Sequence, residues 1–313
     1  MIKVYLQDIS PEIEYIGYLY LHKFAFLELY KQCIELNDDK VYFTMDVNEQ
    51  PFDASFSWSR LQKGVKSDVH CAMWDDIHYL TSDVAKIRHA FFKNTHTIFT
   101  PNSHQATKIH NSEFEYLGDK FVFFPYFIRE EDIVLSKVKK KNKCLLHGSI
   151  PKSEMYYTLR QKVFEYSKTT ETIDVLDKKL KLWGMDYIEH LSQYDFVFSV
   201  TNGTMSECDP YEPCGNHYLL MKHIETLASG SVMIADEKPA FREMGLVPWE
   251  HYIPCSNADF KSDTSAKAFV DKVMNLSLDQ RNSIVEKGQR VLRERHTAKQ
   301  RAVQLYDYFK NLN

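Results

Sequence analysis

The first half of the chain alternates short apolar runs with longer amphipathic segments. The short runs predict β-strands, and the longer segments carry apolar residues at helical spacing. Strands and helices that alternate in this way are typical of a parallel, doubly wound α/β sheet. The predicted strands are residues 2–6, 40–45, 68–74, 97–100 and 120–124, and the two clearest predicted helices are residues 14–36 and 82–93.

A charged, linker-like segment over residues 125–143 interrupts this alternation, and the pattern then restarts. The restart consists of a predicted strand over 143–147, a loop that begins at Gly148 and a predicted helix over 154–169. A glycine directly after a strand lets backbone N–H groups approach a phosphate. An ordinary turn would use the same residue, so the glycine alone does not decide between the two.

The restart predicts two domains with a boundary near residues 128–142. We expect one domain over 1–128 and a second domain over 129–313. Two similar α/β halves leave a cleft between them, and ligands usually bind in such a cleft. The last predicted helix, residues 297–313, is a candidate to cross back to the first domain.

The second half contains a clear strand–helix–strand unit. Parallel strands joined in this way bind ligands at the carboxyl edge of their sheet. Lys222 and Glu225 lie three residues apart, so they share one face of the predicted helix beside that edge. A cation and a carboxylate there suit a diphosphate and a ribose diol. The unit comprises a strand over 195–200, a polar loop over 201–216, a helix over 217–230 that ends in a glycine cap, and a strand over 231–236.

Composition indicates a soluble globular protein of ordinary charge. Of the 313 residues 44% are hydrophobic and 26% are charged, and the formal net charge is −4. This acidic balance argues against a nucleic-acid partner, which would need a basic surface. The basic run 137–143 fits a solvated linker, and an anion-binding patch is the alternative.

No apolar stretch reaches membrane-spanning length, and the chain opens with a predicted strand instead of a signal peptide. The six cysteines are scattered, which favours a reducing compartment, and we expect a cytoplasmic protein. Cys208 and Cys214 share a loop, but no second ligand pair with zinc spacing accompanies them. We therefore expect no metal site.

Five short patches follow one another along the chain. Trp74 is followed by two aspartates, the sequence Phe-Thr-Pro-Asn occupies residues 99–102, and an apolar strand ends at Pro125. Lys222 and Glu225 precede a glycine turn and an apolar strand, and the segment 296–302 opens the last helix. Together these patches resemble glycosyltransferases of the GT-B fold. The resemblance is greatest to group 1 enzymes and their spore-coat-protein (CgeB-type) relatives, and exostosin-like enzymes are more distant.

The resemblance implies an α/β protein of GT-B type, with two Rossmann-like domains that face each other across a cleft. The domain over 1–128 would then be the acceptor side, and the domain over 129–313 would bind the nucleotide sugar. It implies a hexosyl- or pentosyltransferase that moves a sugar from a UDP- or GDP-sugar to a hydroxyl acceptor such as a glycan, without a cofactor or a metal ion. A sugar-nucleotide epimerase of the same fold and a non-catalytic nucleotide- or carbohydrate-binding module remain alternatives. The acidic balance disfavours a nucleic-acid glucosyltransferase.

The resemblance assigns donor-binding roles to residues of the second half. In the family the carboxylate at the position of Glu225 accepts hydrogen bonds from the ribose hydroxyls, and the alternative is a surface carboxylate. Lys222, where the family has arginine, would neutralise the diphosphate, unless it is a solvated lysine. Gly148 and Arg160 are further candidates to contact the diphosphate, and Arg160 is otherwise a surface arginine.

Trp183 and Tyr187 lie where these enzymes frame the nucleotide base. Either ring would stack on the base, unless it belongs to the core. His217 stands eight residues before Glu225, where retaining group 1 enzymes carry a second glutamate. This departure puts a retaining mechanism in doubt, and direct displacement is slightly favoured.

The first half should supply the catalytic base, because activation of a hydroxyl needs a carboxylate or an imidazole within hydrogen-bond reach. Asp75 and Asp76 follow a predicted strand and match the aspartate of the spore-coat relatives. Acids at a strand end can equally cap the next helix. Asp46 and Asp8 are further candidates at strand ends.

Overall fold

A computed structural model describes ten parts of the 313-residue chain. They are residues 3–6, 42–45, 70–73, 97–101, 121–134, 141–148, 158–180, 182, 184–201 and 219–310. The chain divides into two compact units. Unit 1 comprises Met1–Pro125 and Ala298–Asn313, and unit 2 comprises Tyr126–Thr297.

Unit 1 contains a parallel sheet of five described strands. Their order in the sheet, β1-β2-β3-β4-β5, is their order along the chain. A doubly wound sheet reverses its strand order once, and the described strands of unit 1 show no such reversal, which differs from the sequence-based prediction. The strands are β1 (Lys3–Leu6), β2 (Tyr42–Met45), β3 (His70–Met73), β4 (Thr97–Thr100) and β5 (Phe121–Phe123).

The last described helix, Ala298–Lys310, packs on this sheet of unit 1. The hydroxyl of Tyr308 is 2.7 Å from Thr97 Oγ1, and its ring meets the ring of Phe99 edge to face at 5.2 Å. Arg301 donates from Nε to the carbonyl of Pro125 at 3.2 Å. The helix therefore completes the core of unit 1.

Unit 2 contains a second parallel sheet, in the order β10-β9-β8-β6-β7. Of its three central strands, β9 is buried throughout, β8 is buried except at one residue, and β6 is buried over its last three residues, as expected for a sheet with helices on both faces. The chain runs from β6 out to β7 and returns to the other side of β6 with β8, so the sheet has a topological switch point between β6 and β8. The strands are β6 (Lys141–Leu146), β7 (Ile173–Val175), β8 (Tyr194–Phe198), β9 (Val232–Ala235) and β10 (Ile253–Pro254).

Helices surround this sheet and bury apolar side chains against it. Ser262 and Ser277 cap two of them, since each side chain accepts a hydrogen bond from a backbone N–H three residues on. The described helices of unit 2 are α1 (Thr158–Ser167), α2 (Gly184–Ser192), α3 (Met221–Ala228), α4 (Pro239–Glu243), α5 (Asp263–Met274) and α6 (Leu278–Arg295), with single 3₁₀ turns at Glu130–Asp132 and Lys178–Leu180. The helix that packs on unit 1 is α7 (Ala298–Lys310).

The predicted strand–helix–strand unit of the second half is present as β8, α3 and β9. Gly230 follows α3 with a φ of +74°, a left-handed conformation that glycine adopts without strain, as the predicted cap requires. The sequence pattern predicts a loop over 237–257, but the structure has both α4 and β10 there. Elements of five and two residues are too short to show a periodic pattern.

Candidate functional site

Polar residues follow the three central strands of unit 2 where each strand ends. His147 and Gly148 follow β6, Ser199 follows β8, and Asp236 follows β9. Because these strands are parallel neighbours, their carboxyl ends lie on one edge of the sheet. Helix α3 leads into β9 and places Lys222 and Glu225 beside the same edge.

Two cationic side chains converge on the backbone of Gly148. This residue has a φ of +105°, which side chains other than glycine rarely allow. A Cβ atom at this position would overlap Nζ of Lys222 and would lie 3.3 Å from Cζ and Nη1 of Arg160. The glycine therefore leaves room for an ammonium group and a guanidinium group at the carboxyl end of β6.

Arg160 is fixed by the end of the neighbouring strand. It is only 2% exposed, and its Nε donates to the carbonyl of Val200 at 3.0 Å. Its backbone N–H donates to the carbonyl of Thr201 at 3.2 Å. The alternative that Arg160 is a surface arginine is wrong, because the arginine lies inside the unit and points its charge towards the Gly148 loop.

Glu225 carries a carboxyl group in an unusual environment. The residue is 3% exposed, so the alternative of a surface carboxylate is wrong. Burial raises the pKa of Glu225 from 4.5 to about 7, although the nearby charge of Lys222 acts in the opposite direction. In its ionised form the carboxylate offers two oxygens that can accept hydrogen bonds.

Tyr187 and His147 belong to a network of hydrogen bonds that is buried except at the partly exposed Tyr187. The Tyr187 hydroxyl is bonded to His147 Nδ1, and His147 Nε2 lies 2.8 Å from Ser199 Oγ. Ser199 Oγ in turn shares a 2.7 Å hydrogen bond with Thr226 Oγ1. The network links α2 and α3 to the carboxyl ends of β6 and β8.

Neighbouring charged groups shift the pKa values of the residues in this hydrogen-bond network. Burial, followed by the charges of Lys222 and Arg160, holds the pKa of His147 well below its usual 6.5, so the imidazole is neutral. Burial and the charge of Glu225 raise the pKa of Tyr187 well above 10. The two cations, the carboxyl group, the imidazole and the phenol therefore form one cluster.

His223 anchors the start of α3 to the end of β8. Its Nε2 donates to the carbonyl of Ser199 at 3.0 Å, and its Nδ1 accepts from the backbone N–H of Leu220 at 3.1 Å. Burial, and then the charge of Lys238, lower the pKa of His223 to about 3. A neutral imidazole thus sets the position of the helix that carries Lys222 and Glu225.

A buried ion pair ties the ends of β8 and β9 together. Lys238 Nζ lies 2.7 Å from Asp236 Oδ2, and both side chains are almost completely buried. Thr201 donates to the same carboxylate from its backbone N–H at 2.8 Å and from its hydroxyl at 2.6 Å. Burial alone would raise the pKa of Asp236, but Lys238 and Thr201 outweigh burial and lower it.

The structure brings together five of the ten residues predicted for the site: Gly148, Arg160, Tyr187, Lys222 and Glu225. The remaining predicted residues, Trp183, His217, Asp46, Asp75 and Asp76, lie outside the described residues, as does Asp8.

Sequence analysis did not identify His147, Ser199, Thr226, His223 or the Asp236–Lys238 pair. The position of Asp236 at the end of an apolar run is a usable signal, since polar residues at the carboxyl ends of parallel strands often face a ligand. Within the described residues, no group of three histidine, cysteine or acidic side chains could hold a metal ion, and no helix has the length and apolar content to cross a membrane.

A protein-family model described as glycosyl transferase-like matches residues 129–307, more than half of the chain. The chain therefore belongs to the glycosyl transferase-like family. Sugar transfer is the class of activity that this membership supports. No curated protein sequence matches the chain.

Several solved structures share this fold at low sequence identity. HepE from Anabaena, in complex with UDP and glucose, is 7% identical with a TM-score of 0.58, and the match covers 93% of this chain and 83% of HepE. Sucrose-phosphate synthase from Thermosynechococcus elongatus is 10% identical with a TM-score of 0.55, and the match covers 97% and 80% of the two chains.

The pneumococcal O-GlcNAc transferase GtfA, in complex with UDP and GlcNAc, is 14% identical with a TM-score of 0.53. The match covers 92% of this chain but only 60% of GtfA. At these identities the likeness shows the fold. The predicted α/β fold class of GT-B type is confirmed. The closer resemblance to spore-coat or exostosin-like enzymes stays a prediction.

Proposed function

We propose that the chain transfers a sugar from a nucleoside diphosphate sugar to a hydroxyl acceptor, with the donor held by unit 2. One observation carries this proposal: the charges of Lys222 and Arg160 converge on Gly148, at the switch point of the sheet. A diphosphate needs compensating positive charge and room for close approach to the backbone. Helix α3 begins at Met221, directly before Lys222, so the positive end of its dipole adds to the attraction.

Glu225 suits the ribose of the same donor. A carboxylate can accept one hydrogen bond on each oxygen from the two hydroxyls of a ribose diol. Glu225 lies on the same helical face as Lys222, so ribose and diphosphate would lie side by side. The Tyr187 hydroxyl is already bonded to His147, and we therefore assign Tyr187 to position the β6 end. Stacking of the base on Trp183 stays a prediction.

In the proposed reaction an acceptor hydroxyl oxygen attacks the anomeric carbon, and the bond from that carbon to the diphosphate oxygen breaks. The hydroxyl proton passes to a carboxylate, for which Asp75 and Asp76 are the first candidates and Asp46 and Asp8 the next. The departing diphosphate gains negative charge, which Lys222 and Arg160 would stabilise. With His217 in place of a second glutamate, we favour direct displacement with inversion.

The donor and acceptor are proposed by class. UDP is bound in the solved structures of HepE and GtfA, so UDP-sugars are the first donors to test and GDP-sugars the second. A glycan is the proposed acceptor. Independence from metal ions is a further prediction, and unchanged transfer in the presence of EDTA would support it.

The first experiment measures donor binding by isothermal titration calorimetry. Lys222→Ala and Glu225→Ala should each weaken UDP-sugar binding by about ten- to hundredfold, since a charge-assisted hydrogen bond is worth about 1.5–3 kcal/mol. Lys267→Ala is the matched control, because Lys267 is an exposed helical lysine that pairs only with Asp271 among the described residues. Parent-like affinity in both test variants would refute the assignment.

A second experiment separates the proposed activity from its alternatives. Incubation with nucleotide sugars and candidate glycans should yield free nucleoside diphosphate together with a glycosylated acceptor. Interconversion of the nucleotide sugars would instead indicate an epimerase. Tight binding with neither transfer nor hydrolysis would indicate a binding module, and transfer to DNA would contradict the expectation of no nucleic-acid partner.

A further inference from the structure

Unit 2 contains a cavity of about 950 Å³ at the opposite edge of its sheet from β7. The cavity is bounded by the carboxyl end of β10, by α5 and by the turn that carries Trp249. In the sheet β10 is separated from β6 by β9 and β8, which corresponds to about 14 Å at the usual strand spacing. The volume lies at the upper end of the range for small-molecule sites.

Trp249 is presented to this cavity in an unusual backbone conformation. It has a φ of +63°, and among the described residues no other side chain larger than glycine's hydrogen has a positive φ. Its backbone N–H donates to the carbonyl of Tyr252 at 2.7 Å, which holds the turn in place. The side chain is 42% exposed despite its large apolar area. A strained backbone that exposes an aromatic ring points to recognition more than to packing.

The charges around the cavity balance. Glu237 and Asp259 contribute two carboxylates, and Lys261 and Lys272 contribute two ammonium groups. The Lys272 ammonium lies 4.2 Å from the centre of the Trp249 ring, where a cation–π interaction helps to fix the plane of the ring. A balanced set of charges does not favour a phosphate or a free cation, but it offers donors and acceptors to a neutral ligand.

The interior of the cavity is both apolar and polar. Phe269 on α5 and Cys255 after β10 provide buried apolar surface. Ser256 lies beside them and donates from both its backbone N–H and its hydroxyl to Asp259 Oδ2 at 2.8 Å. These bonds hold the Asp259 carboxylate in place at the edge of the cavity.

A sugar ring matches this combination of surfaces, because it has an apolar C–H face and a rim of hydroxyl groups. We propose that the cavity binds a neutral saccharide, with one face of a sugar ring against Trp249 and its hydroxyls on the surrounding charged groups. This site is separate from the proposed donor site and does not depend on the donor assignment. It would let the protein hold a carbohydrate in addition to its donor.

The test uses the whole chain labelled with 5-fluorotryptophan. The sequence has four tryptophans, so four ¹⁹F resonances are expected, and Trp249→Tyr assigns one of them by its loss. Glucose, galactose, N-acetylglucosamine, maltose, cellobiose and N,N′-diacetylchitobiose serve as probes. At least one probe should shift the Trp249 resonance saturably. No saturable shift up to about 50 mM, far above the dissociation constant of a weak site, would overturn the proposal.

Matched variants connect the binding to the ring. Saturation-transfer difference NMR on the sugar should show binding to Trp249→Tyr but at least tenfold weaker binding to Trp249→Asn, since asparagine tolerates a positive φ without supplying a ring. Parent-like binding by Trp249→Asn would overturn the proposal. Lys222→Ala should keep the sugar signal while it loses UDP-sugar binding. Loss of both together would place the sugar in the donor site and also overturn the proposal.

Discussion

The raised pKa of Glu225 should make the stability of the protein depend on pH in a specific way. The carboxyl group has a pKa of about 7 in the folded protein and an ordinary value of 4.5. Because the folded state holds the proton more tightly than the unfolded chain, the contribution to stability is fully present below pH 4.5. It is lost as the pH rises through about 7.

The magnitude follows from the difference between the two pKa values. Each pH unit is worth about 1.4 kcal/mol, so full ionisation of Glu225 should cost the folded state about 3 kcal/mol. Glu225→Gln keeps the shape of the side chain but cannot ionise. The free energy of unfolding of the parent should therefore fall relative to that of Glu225→Gln between about pH 4 and pH 8, by up to this amount, and most steeply between the two pKa values.

Urea unfolding of both proteins at a series of pH values measures this difference, because the other titrating groups cancel when the curves are subtracted. Glu189→Gln, which changes an exposed carboxylate of α2, should leave the pH dependence of the parent unchanged. Parallel curves for the parent and Glu225→Gln over the whole range would refute the argument that burial holds a proton on Glu225.

The same ionisation should control donor binding. Only the ionised carboxylate accepts hydrogen bonds from both ribose hydroxyls, so affinity for a UDP-sugar should fall by up to about tenfold for each pH unit below 7. A UDP-sugar is the right probe because its diphosphate lacks the terminal phosphate group that titrates near pH 6 in UDP. Calorimetry should show a weaker and nearly flat affinity for Glu225→Gln. A flat profile for the parent would contradict a role in ribose binding.

Three further predictions address the other parts of the proposed machinery. Gly148→Ala should weaken UDP-sugar binding at least about tenfold in calorimetry. The added methyl group displaces the two cations, and a positive φ costs an alanine about 1–3 kcal/mol. Unchanged affinity would show that the cations do not meet the donor at Gly148. Lys238→Met should lower the free energy of unfolding, measured in urea, by about 3–5 kcal/mol, because it leaves the Asp236 carboxylate buried without its counter-ion. A loss below about 1 kcal/mol would mean that the ion pair contributes little to stability. Asp75→Asn or Asp76→Asn should lower the transfer rate by about 10²–10⁴-fold with nearly unchanged donor affinity; two fully active variants would move the search to other carboxylates.

Much of the fold can be predicted from the sequence because a buried parallel strand forms a continuous apolar run. The runs over 195–200 and 231–236 illustrate this, and the structure has β8 and β9 there. Short edge strands lack such a signal. Strand β7 has three residues and β10 has two, so neither is long enough to show a period. Their places in the sheet follow from backbone pairing with β6 and β9.

The site can be predicted only where its residues are close together in the sequence. Helical spacing alone places Lys222 and Glu225 on one face. The burial of Arg160 cannot be predicted in this way, because the arginine donates to the carbonyl of Val200, 40 residues further along the chain. Only the folded sheet brings these two residues together. His147 and Ser199 look like isolated polar residues in the sequence. Their hydrogen bond exists because β6 and β8 are direct neighbours although they are far apart along the chain.

Because α7 packs on unit 1 but follows all of unit 2 along the chain, the order of synthesis separates the parts of unit 1 in time. The ribosome must add the 172 residues from 126 to 297 before Arg301 and Tyr308 can reach Pro125 and Phe99. At about 5–20 residues per second this interval lasts roughly 10–35 s. During it unit 2 can fold as an uninterrupted segment, whereas the nascent sheet of unit 1 lacks its closing helix. The side chains of unit 1 that α7 covers, Phe99 among them, therefore stay without this cover until the end of synthesis.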